Sequence, residues 1–326
     1  MGMLEFITDA IYQCFFIPPP PLTEQNLPDQ TGRVHIVTGG YAGCGKELSK
    51  LLYQKNATVY VAGRSQDKGE AAIQEIKKAF PSSDGKLEFL QLDLADLASI
   101  KGSAEDFMKR SQRLDVLTNN AGVMTPPVGS KTEQGYELQM GTNVLGPWLF
   151  TKYMTPILQK TAASSPQGSV RVTWAASLAT AFSPKAGGVA FDAQKGGPKV
   201  HGDRMTDYAQ SKAANALLSR EYQARYGDKM GIISHSWNPG NLQSELQRHQ
   251  TFIEATMTSL LTYPVVYGGY TELFAACSEE AGRTENRGKY IGPWGRFVVL
   301  RSDLAENSEG AGKLWEWCEK ETQQYS

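Results

Sequence analysis

The sequence predicts an α/β protein with a single doubly wound parallel sheet flanked by helices. Two observations support this prediction. Short apolar runs alternate along the chain with segments whose apolar residues recur at helical spacing, an order typical of strand–helix–strand units. The first apolar run also leads directly into a glycine-rich turn, TGGYAGCGK, which begins at Thr38 and opens a predicted helix.

Each predicted strand is a short apolar run, and each predicted helix carries one apolar face. The predicted strands cover residues 34–38, 57–63, 87–94, 114–122, 169–177, 231–237 and 289–292. Short helices are predicted around residues 47–53, 73–80 and 100–108, and long helices over 136–160 and 207–225. Residues 183–203 are rich in Gly, Pro and Lys and are predicted to form a loop. We find no internal repeat and no second domain, so residues 31–326 are predicted to form one domain.

Residues 1–30 are predicted to be an N-terminal extension. It carries a short apolar helix face made by Leu4, Ile7, Ile11 and Phe15. The prolines at positions 18–21 end this helix and form a stiff linker. Two interpretations of the apolar face stay open: it packs on the main domain, or it contacts a membrane surface or a second subunit.

The composition excludes several classes of protein. Lys and Arg number 33 against 34 Asp and Glu, so the net charge of -1 gives no electrostatic basis for binding nucleic acid. No apolar run approaches the ~18 residues that a membrane span needs. The four cysteines are scattered without a CxxC pair, so neither a disulfide framework nor a metal site is indicated. A cytoplasmic protein is expected, and the extension is the one segment for which peripheral membrane contact stays open.

The glycine-rich turn predicts a dinucleotide site. Gly39, Gly43 and Gly45 have the spacing G-x-x-x-G-x-G, with Thr38 and Cys44 in the same turn. Glycine permits the tight turn and lets the backbone approach a pyrophosphate, and the N-terminus of the following helix favours the negative charge. A Rossmann-type sheet is therefore expected.

The choice of cofactor is predicted from the end of the second strand. Gly63 and Arg64 stand there with Lys68 nearby, and no carboxylate is present to accept the ribose hydroxyls of NAD. A guanidinium can bind a 2′-phosphate, so NADP(H) is predicted, with a solvated surface arginine as the alternative.

Further cofactor contacts are expected where the third and fourth strands end. Asp93, beside Leu94, could accept a hydrogen bond from the adenine amino group, or could cap the next helix instead. Small residues at the end of the fourth strand would let a cofactor lie close to the backbone; the strand ends with Asn120, Ala121 and Gly122.

Tyr208 and Lys212 are the predicted proton-transfer pair. Residues four apart share one face of a helix, so their side chains are neighbours. An ammonium beside a phenol favours the phenolate, so Lys212 is expected to lower the pKa of Tyr208. The phenol then becomes a usable general acid or base.

These motifs together resemble the short-chain dehydrogenases/reductases. The resemblance runs in order from about residue 33 to 300 through TGGYAGCG, NNAG, GTNVLGPWLFT, RVTWAAS, YAQSK and NPGNLQSEL. Within the family the chain looks closest to the retinol dehydrogenase-like group and to members common in filamentous fungi. Members of the family often form homodimers through the two long helices, but polar side chains on these helices could equally face water here: Lys152, Tyr153, Gln159, Arg220 and Arg225.

The resemblance also implies roles for individual residues. Tyr208 gives or removes a proton, Ser177 holds the substrate oxygen, and Lys212 grips the nicotinamide ribose. Asn143 holds a water that links Lys212 to solvent. Contacts to the nicotinamide side are implied for Pro239, Gly240, Leu242 and Ser244.

The predicted function is NADP(H)-dependent interconversion of a carbonyl and an alcohol. Residues 241–262 are rich in apolar side chains and predict a lid, which favours a small apolar substrate; secondary metabolism is one setting for such an enzyme. Two alternatives stay open: a protein that binds NADPH without redox chemistry, and an enzyme of this fold that catalyses an isomerisation or a cyclisation.

Overall fold

The computed structural model describes residues 13–14, 17–185, 187–243 and 262–325. The strands are β1 (Val34–Thr38), β2 (Thr58–Gly63), β3 (Lys86–Gln91), β4 (Val116–Asn119), β5 (Arg171–Ala175), β6 (Ile233–Trp237), β7 (Tyr290–Gly292) and β8 (Arg296–Phe297). The longer helices are α1 (Gly43–Gln54), α2 (Gln66–Ala79), α3 (Leu97–Arg110), α4 (Gly146–Ala162), α5 (Arg204–Tyr222), α6 (Val266–Cys277) and α7 (Ser308–Thr322). Shorter helical segments are Leu138–Met140, Gly141–Leu145, Leu178–Phe182, Gln223–Gly227, Asp228–Met230, Thr284–Asn286, Ser302–Ala305 and Gln323–Tyr325.

The strands of the described residues form one sheet in the order β3-β2-β1-β4-β5-β6-β7-β8. Strands β1 to β7 pair in parallel, and β8 returns antiparallel to β7. The predicted doubly wound sheet is therefore confirmed. Strand order reverses between β1 and β4, and ligands of such sheets bind at the carboxyl ends of the strands beside this point.

The structure adds helix α6, strand β8 and helix α7, which the sequence patterns did not predict. Helix α6 contains the adjacent pair Gly268 and Gly269, a local signal against a helix. Both glycines allow close packing on α1, because a Cβ at Gly268 would lie 2.5 Å from the Cys44 sulfur and one at Gly269 would lie 2.8 Å from Cβ of Glu47. The packing therefore outweighs the poor helix propensity.

Several predicted boundaries were wrong. Strand β3 ends at Gln91 and β4 at Asn119, so Asp93 and Asn120 lie in the loops after the strands. Helix α5 begins at Arg204, where the Asp203 side chain accepts a hydrogen bond from the amide of Thr206 at 2.7 Å. This cap places Tyr208 within the first two turns of the helix.

Most of the extension's apolar face and most of the predicted lid lie outside the described residues. Leu4, Ile7, Ile11 and Phe15 are outside, and so are residues 244–261, which include Ser244. Gln13 and Cys14 are described; they are helical and buried. In the described ranges, each helix is too short or too polar to cross a bilayer.

Helix α7 packs over the two long helices α4 and α5. Trp315 of α7 meets Trp148 of α4 edge to face at 5.6 Å, and the Arg225 guanidinium lies 5.0 Å over the Trp315 ring. Trp315 is buried. A homodimer formed through the long helices would therefore have to use their remaining surface or displace α7.

His35 of β1 is a buried polar residue with unsatisfied nitrogens. It is fully buried, and neither ring nitrogen has a hydrogen-bond partner in the part of the chain that the structure describes. Burial lowers its pKa well below the usual 6.5, and the nearby cations Arg33 and Arg171 lower it further. His35 is therefore neutral in the folded protein.

The free energy of unfolding is expected to fall as the pH drops below 6.5, because His35 then binds a proton only in the unfolded chain. The slope approaches ~1.4 kcal/mol per pH unit for one proton. We expect the parent to lose about 2 kcal/mol more than His35→Leu between about pH 7 and about pH 5, measured by urea unfolding of both proteins. If the parent and His35→Leu lost the same free energy of unfolding over this pH range, His35 would not be the group that is buried in its neutral form.

Candidate active site

The glycine turn connects β1 to α1 at the carboxyl edge of the sheet. Gly39 and Gly43 have φ angles of 67° and 52°, which glycine adopts readily. A Cβ at Gly45 would lie 2.4 Å from Nδ2 of Asn120 and 2.8 Å from the carbonyl oxygen of Gly39. The turn therefore has the tight form that the sequence predicted.

The ends of β1 and β4 are tied together at the switch point. Nδ2 of Asn120 donates to the carbonyl oxygen of Thr38 at 2.8 Å, and the amide of Ala121 donates to the Thr38 hydroxyl at 2.9 Å. The structure thus brings Thr38, Gly39, Gly45, Asn120 and Ala121 together in one place.

The start of α1 fits a bound pyrophosphate. Its N-cap is Ala42, which offers no side-chain acceptor, and the first turn holds no acidic residue. No side chain of the N-cap or the first turn therefore neutralises the positive end of the helix dipole, and the first backbone N–H groups can bind an anion. Cys44 lies in this turn, and burial raises the pKa of its thiol well above the usual value, so it stays a neutral thiol.

Arg64 and Lys68 lie at the end of β2, where the sequence predicted a 2′-phosphate contact. Both side chains are exposed, and neither forms an ion pair with another described residue. The backbone at Arg64 is fixed, because its carbonyl oxygen accepts a hydrogen bond from Nε2 of Gln91 at 3.0 Å. Lys68 follows one helical turn later, in α2.

Asp93 does not cap the next helix. Its carboxylate accepts a hydrogen bond from the amide of Ala95 at 2.9 Å, whereas Asp96 is the N-cap of α3 and accepts from the amide of Ala98 at 3.1 Å. The capping alternative for Asp93 was therefore wrong. Leu94 beside it is buried.

Asn143 fastens the loop after β4 to helix α5. It lies in a π-helical segment, Gly141–Leu145, a distortion often found at functional sites. Oδ1 accepts from the amide of Val123 at 2.8 Å, and Nδ2 donates to the Val123 carbonyl oxygen and to the Ser211 hydroxyl, both at 3.0 Å. Nothing in the sequence around Ser211 indicated that its hydroxyl would bond to Asn143.

Gly122 lies where Asn143 and Lys212 converge. A Cβ at Gly122 would lie 2.9 Å from Oδ1 of Asn143 and 3.4 Å from Nζ of Lys212. A larger residue would therefore crowd Oδ1 of Asn143, which gives a reason for the glycine after Asn120 and Ala121.

Tyr208, Ser177 and Lys212 form one cluster at the carboxyl end of β5, in which Tyr208 and Lys212 are buried and Ser177 is half-buried. The Ser177 side chain lies beside the phenol and acts to lower the pKa of Tyr208. Nζ of Lys212 lies 5.7 Å from the centroid of the Tyr208 ring and donates to the carbonyl oxygen of Ala175 at 3.1 Å. The predicted neighbours are therefore neighbours in the structure.

The expected lowering of the Tyr208 pKa by Lys212 was wrong as a net result. Burial raises the pKa of Tyr208 to about 12, and of the causes only the Ser177 side chain acts against it. Burial also lowers the pKa of Lys212 to about 8. Loss of water around each group is therefore the main cause of both shifts, and Tyr208 is a neutral phenol at neutral pH.

The hydroxyl of Tyr290 supports Ser177 from β7. It donates to the carbonyl oxygen of Ser177 at 3.0 Å, while the Ser177 side chain accepts from the amide of Ala179 at 3.2 Å. Sequence reasoning missed Tyr290 because only the sheet brings two residues so distant in the chain together.

The turn after β6 holds Pro239, Gly240 and Leu242. Gly240 has a φ of 89°, and a Cβ there would lie 2.5 Å from the Trp294 ring. The amide of Asn238 donates to the carbonyl oxygen of Ile291 at 2.8 Å, which ties the turn to β7. Leu242 is buried and pairs with Tyr263 in an isolated bridge.

Comparison with known proteins agrees with the fold. A family model described as short chain dehydrogenase matches residues 33–198. A short-chain dehydrogenase/reductase of Phomopsis amygdali is 46% identical over 319 residues, which cover 94% of each chain. Short-chain dehydrogenase/reductase pkfC of Emericella nidulans is 42% identical and covers 94% of this chain and 98% of its own.

Solved structures share the fold. A protein from Mycobacterium paratuberculosis superposes with a TM-score of 0.67 at 26% identity, covering 93% of this chain and 97% of that chain. The RhlG/NADP complex of Pseudomonas aeruginosa superposes with a TM-score of 0.62 at 23% identity, covering 81% and 95%.

The fold and the site define an oxidoreductase with a dinucleotide-binding sheet. The chain belongs to the short-chain dehydrogenase/reductase family, whose members act on CH–OH and C=O groups. The likeness to the retinol dehydrogenase-like group within that family stays a prediction.

Proposed function

We propose that this protein is an NADP(H)-dependent reductase of a small apolar ketone or aldehyde, with alcohol oxidation as the reverse reaction. The observation that supports this most directly is that Tyr208 and Lys212 are buried together, with the Lys212 ammonium 5.7 Å from the centre of the phenol ring and Ser177 beside the phenol. A proton donor, an oxygen-binding hydroxyl and a cation are the groups that carbonyl reduction requires.

The nucleotide, when bound, supplies the hydride. In our proposal Tyr208 donates its proton to the substrate oxygen, which suits a tyrosine whose pKa burial raises to about 12 and which is therefore protonated. Ser177 holds the same oxygen through its hydroxyl. Lys212, which is charged below its pKa of about 8, stabilises the phenolate that forms. Oδ1 of Asn143 accepts one hydrogen bond, from the amide of Val123. Its second lone pair can accept another from the water that we propose between Lys212 and solvent.

An apolar substrate fits the residues around the cluster. Three large apolar side chains are exposed on the segments that follow β4 and β5 and at the start of α5: Val128 at 67%, Phe182 at 63% and Met205 at 53%. Gln139 joins two of these segments, because its side chain accepts from the amide of Thr125 at 2.9 Å and donates to the carbonyl oxygen of Arg204 at 3.0 Å. Phe182 and Met205 lie on the segments that also carry Ser177 and Tyr208, and exposed large apolar side chains are typical of a surface that takes an apolar ligand.

The choice of NADP(H) over NAD(H) rests on Arg64 and Lys68. Both are exposed cations at the end of β2, and no described carboxylate is paired with them. A 2′-phosphate would supply the missing negative charge.

A substrate panel tests the proposed function. NADPH oxidation is followed by absorbance with apolar ketones and aldehydes and, as matched controls, with polar carbonyl compounds of similar size. We expect turnover with members of the apolar set and preference for NADPH over NADH. Tight NADPH binding without oxidation by any member of the panel would favour a non-redox binding protein and contradict the proposal.

A further inference from the structure

The N-terminal extension reaches the turn after β6, for which the family resemblance implies contacts to the nicotinamide side of the site. Nδ2 of Asn238 donates to Oε1 of Gln13 at 3.0 Å, and Nδ2 of Asn241 donates to the sulfur of Cys14 at 3.2 Å. Two consecutive residues of the extension therefore contact both sides of Pro239 and Gly240. Gln13 is 5% exposed and Asn238 is 2% exposed, so both are shielded from water.

The bond to Gln13 acts on Gly240 through Asn238. Oδ1 of Asn238 accepts the backbone N–H of Gly240 at 3.0 Å, and a backbone N–H can only donate. This fixes which end of the Asn238 amide faces Gly240, so its NH₂ group faces Gln13 and needs an acceptor there. Gln13 therefore holds the orientation in which Asn238 shapes the turn.

We propose that Gln13 is a positioning residue of the active site, and that the extension is a working part of the enzyme. Through Asn238, Gln13 holds Gly240 and Pro239 in the conformation that binds the nicotinamide side of the cofactor. This inference rests on the proposed function for its effect on catalysis, but the contact itself does not depend on it. Replacing Gln13 by leucine leaves a buried NH₂ group of Asn238 without an acceptor, which loosens the turn.

The chain offers a matched control. Gln30 is also a buried glutamine of the N-terminal region, 3% exposed, and its side chain donates to the carbonyl oxygen of Pro28 at 2.9 Å. It lies just before β1, at the amino ends of the strands and so at the opposite edge of the sheet from the site. Gln30→Leu therefore removes a buried amide without touching the turn.

The test compares full-length Gln13→Leu, Gln13→Glu and Gln30→Leu with the parent. Hydrogen–deuterium exchange of the peptide that contains Gly240 measures the turn, and NADPH affinity, kcat and KM measure its consequence. We expect Gln13→Leu to speed exchange at Gly240 and to lower kcat/KM by about three- to tenfold, in line with one lost hydrogen bond. Gln13→Glu keeps an acceptor oxygen, so its exchange rate at Gly240 and its kcat/KM should stay close to those of the parent. Gln30→Leu should change only the melting temperature.

The outcomes separate this inference from the proposed function. Unchanged exchange at Gly240 in Gln13→Leu, or equal kinetic losses in Gln13→Leu and Gln30→Leu, would overturn the positioning role while leaving the reductase proposal intact. If the parent protein showed no NADPH-dependent turnover, the proposed function would be refuted, and so would the effect of Gln13 on catalysis. Faster exchange at Gly240 in Gln13→Leu would then support only the contact between Gln13 and Asn238.

Discussion

Replacing Tyr208 by phenylalanine is expected to lower turnover by ~10²–10⁴-fold, the usual cost of losing an acid–base group. The ring should stay in place, because Tyr208 is buried and only its hydroxyl is removed. The affinity for NADPH should therefore change little. Stopped-flow absorbance measures turnover, and a fluorescence titration measures NADPH binding.

Tyr222→Phe is the matched control for this experiment. Tyr222 lies on the same helix α5, is equally buried, and its hydroxyl shares a hydrogen bond of 3.1 Å with that of Thr155, away from Ser177. We expect this variant to turn over at close to the parent rate. If Tyr208→Phe kept the parent rate, or if both variants lost activity equally, Tyr208 would not be the proton donor.

Replacing Arg64 by alanine is expected to weaken NADPH binding by about 10- to 150-fold, equivalent to ~1.5–3 kcal/mol for a hydrogen bond with a charged group. The carbonyl oxygen of Arg64 is held by Gln91, so its side chain projects from a fixed point at the end of β2. Isothermal titration with NADPH and NADH provides the comparison, because only NADPH carries the 2′-phosphate.

Lys77→Ala controls for the general loss of positive charge. Lys77 is an exposed cation in the last turn of α2, at the far end of the helix that carries Lys68. It should leave both affinities nearly unchanged. If Arg64→Ala weakened NADH and NADPH to the same degree, the 2′-phosphate contact would be refuted.

The central part of the fold could be predicted because local patterns and packing agree there. Apolar runs such as residues 34–38 became buried strands, and the glycine turn formed at the end of β1. The patterns failed where packing acts against local preference. The pair Gly268 and Gly269 favours a break in a helix, yet both residues lie inside α6. Helix α1 packs so closely there that a side chain at either position would clash with it.

The candidate site was predictable as a set of residues but not as a set of pKa values. Spacing alone put Tyr208 beside Lys212. Their degree of burial depends on the whole sheet, and burial decides that the phenol pKa rises and the ammonium pKa falls. The supporting contacts of Tyr290 and Gln13 were equally hidden, because each joins segments more than a hundred residues apart in the chain.

Isotope transfer tests the central claim most directly. NADPH that carries deuterium at both positions of its transferable ring carbon is incubated with the enzyme and an apolar carbonyl substrate, and the alcohol product is analysed by mass spectrometry and NMR. We predict that the deuterium appears on the carbon of the former carbonyl group, and that Tyr208→Phe forms the same labelled product far more slowly. An alcohol without deuterium, or a product rearranged without any consumption of NADPH, would contradict hydride transfer at this site.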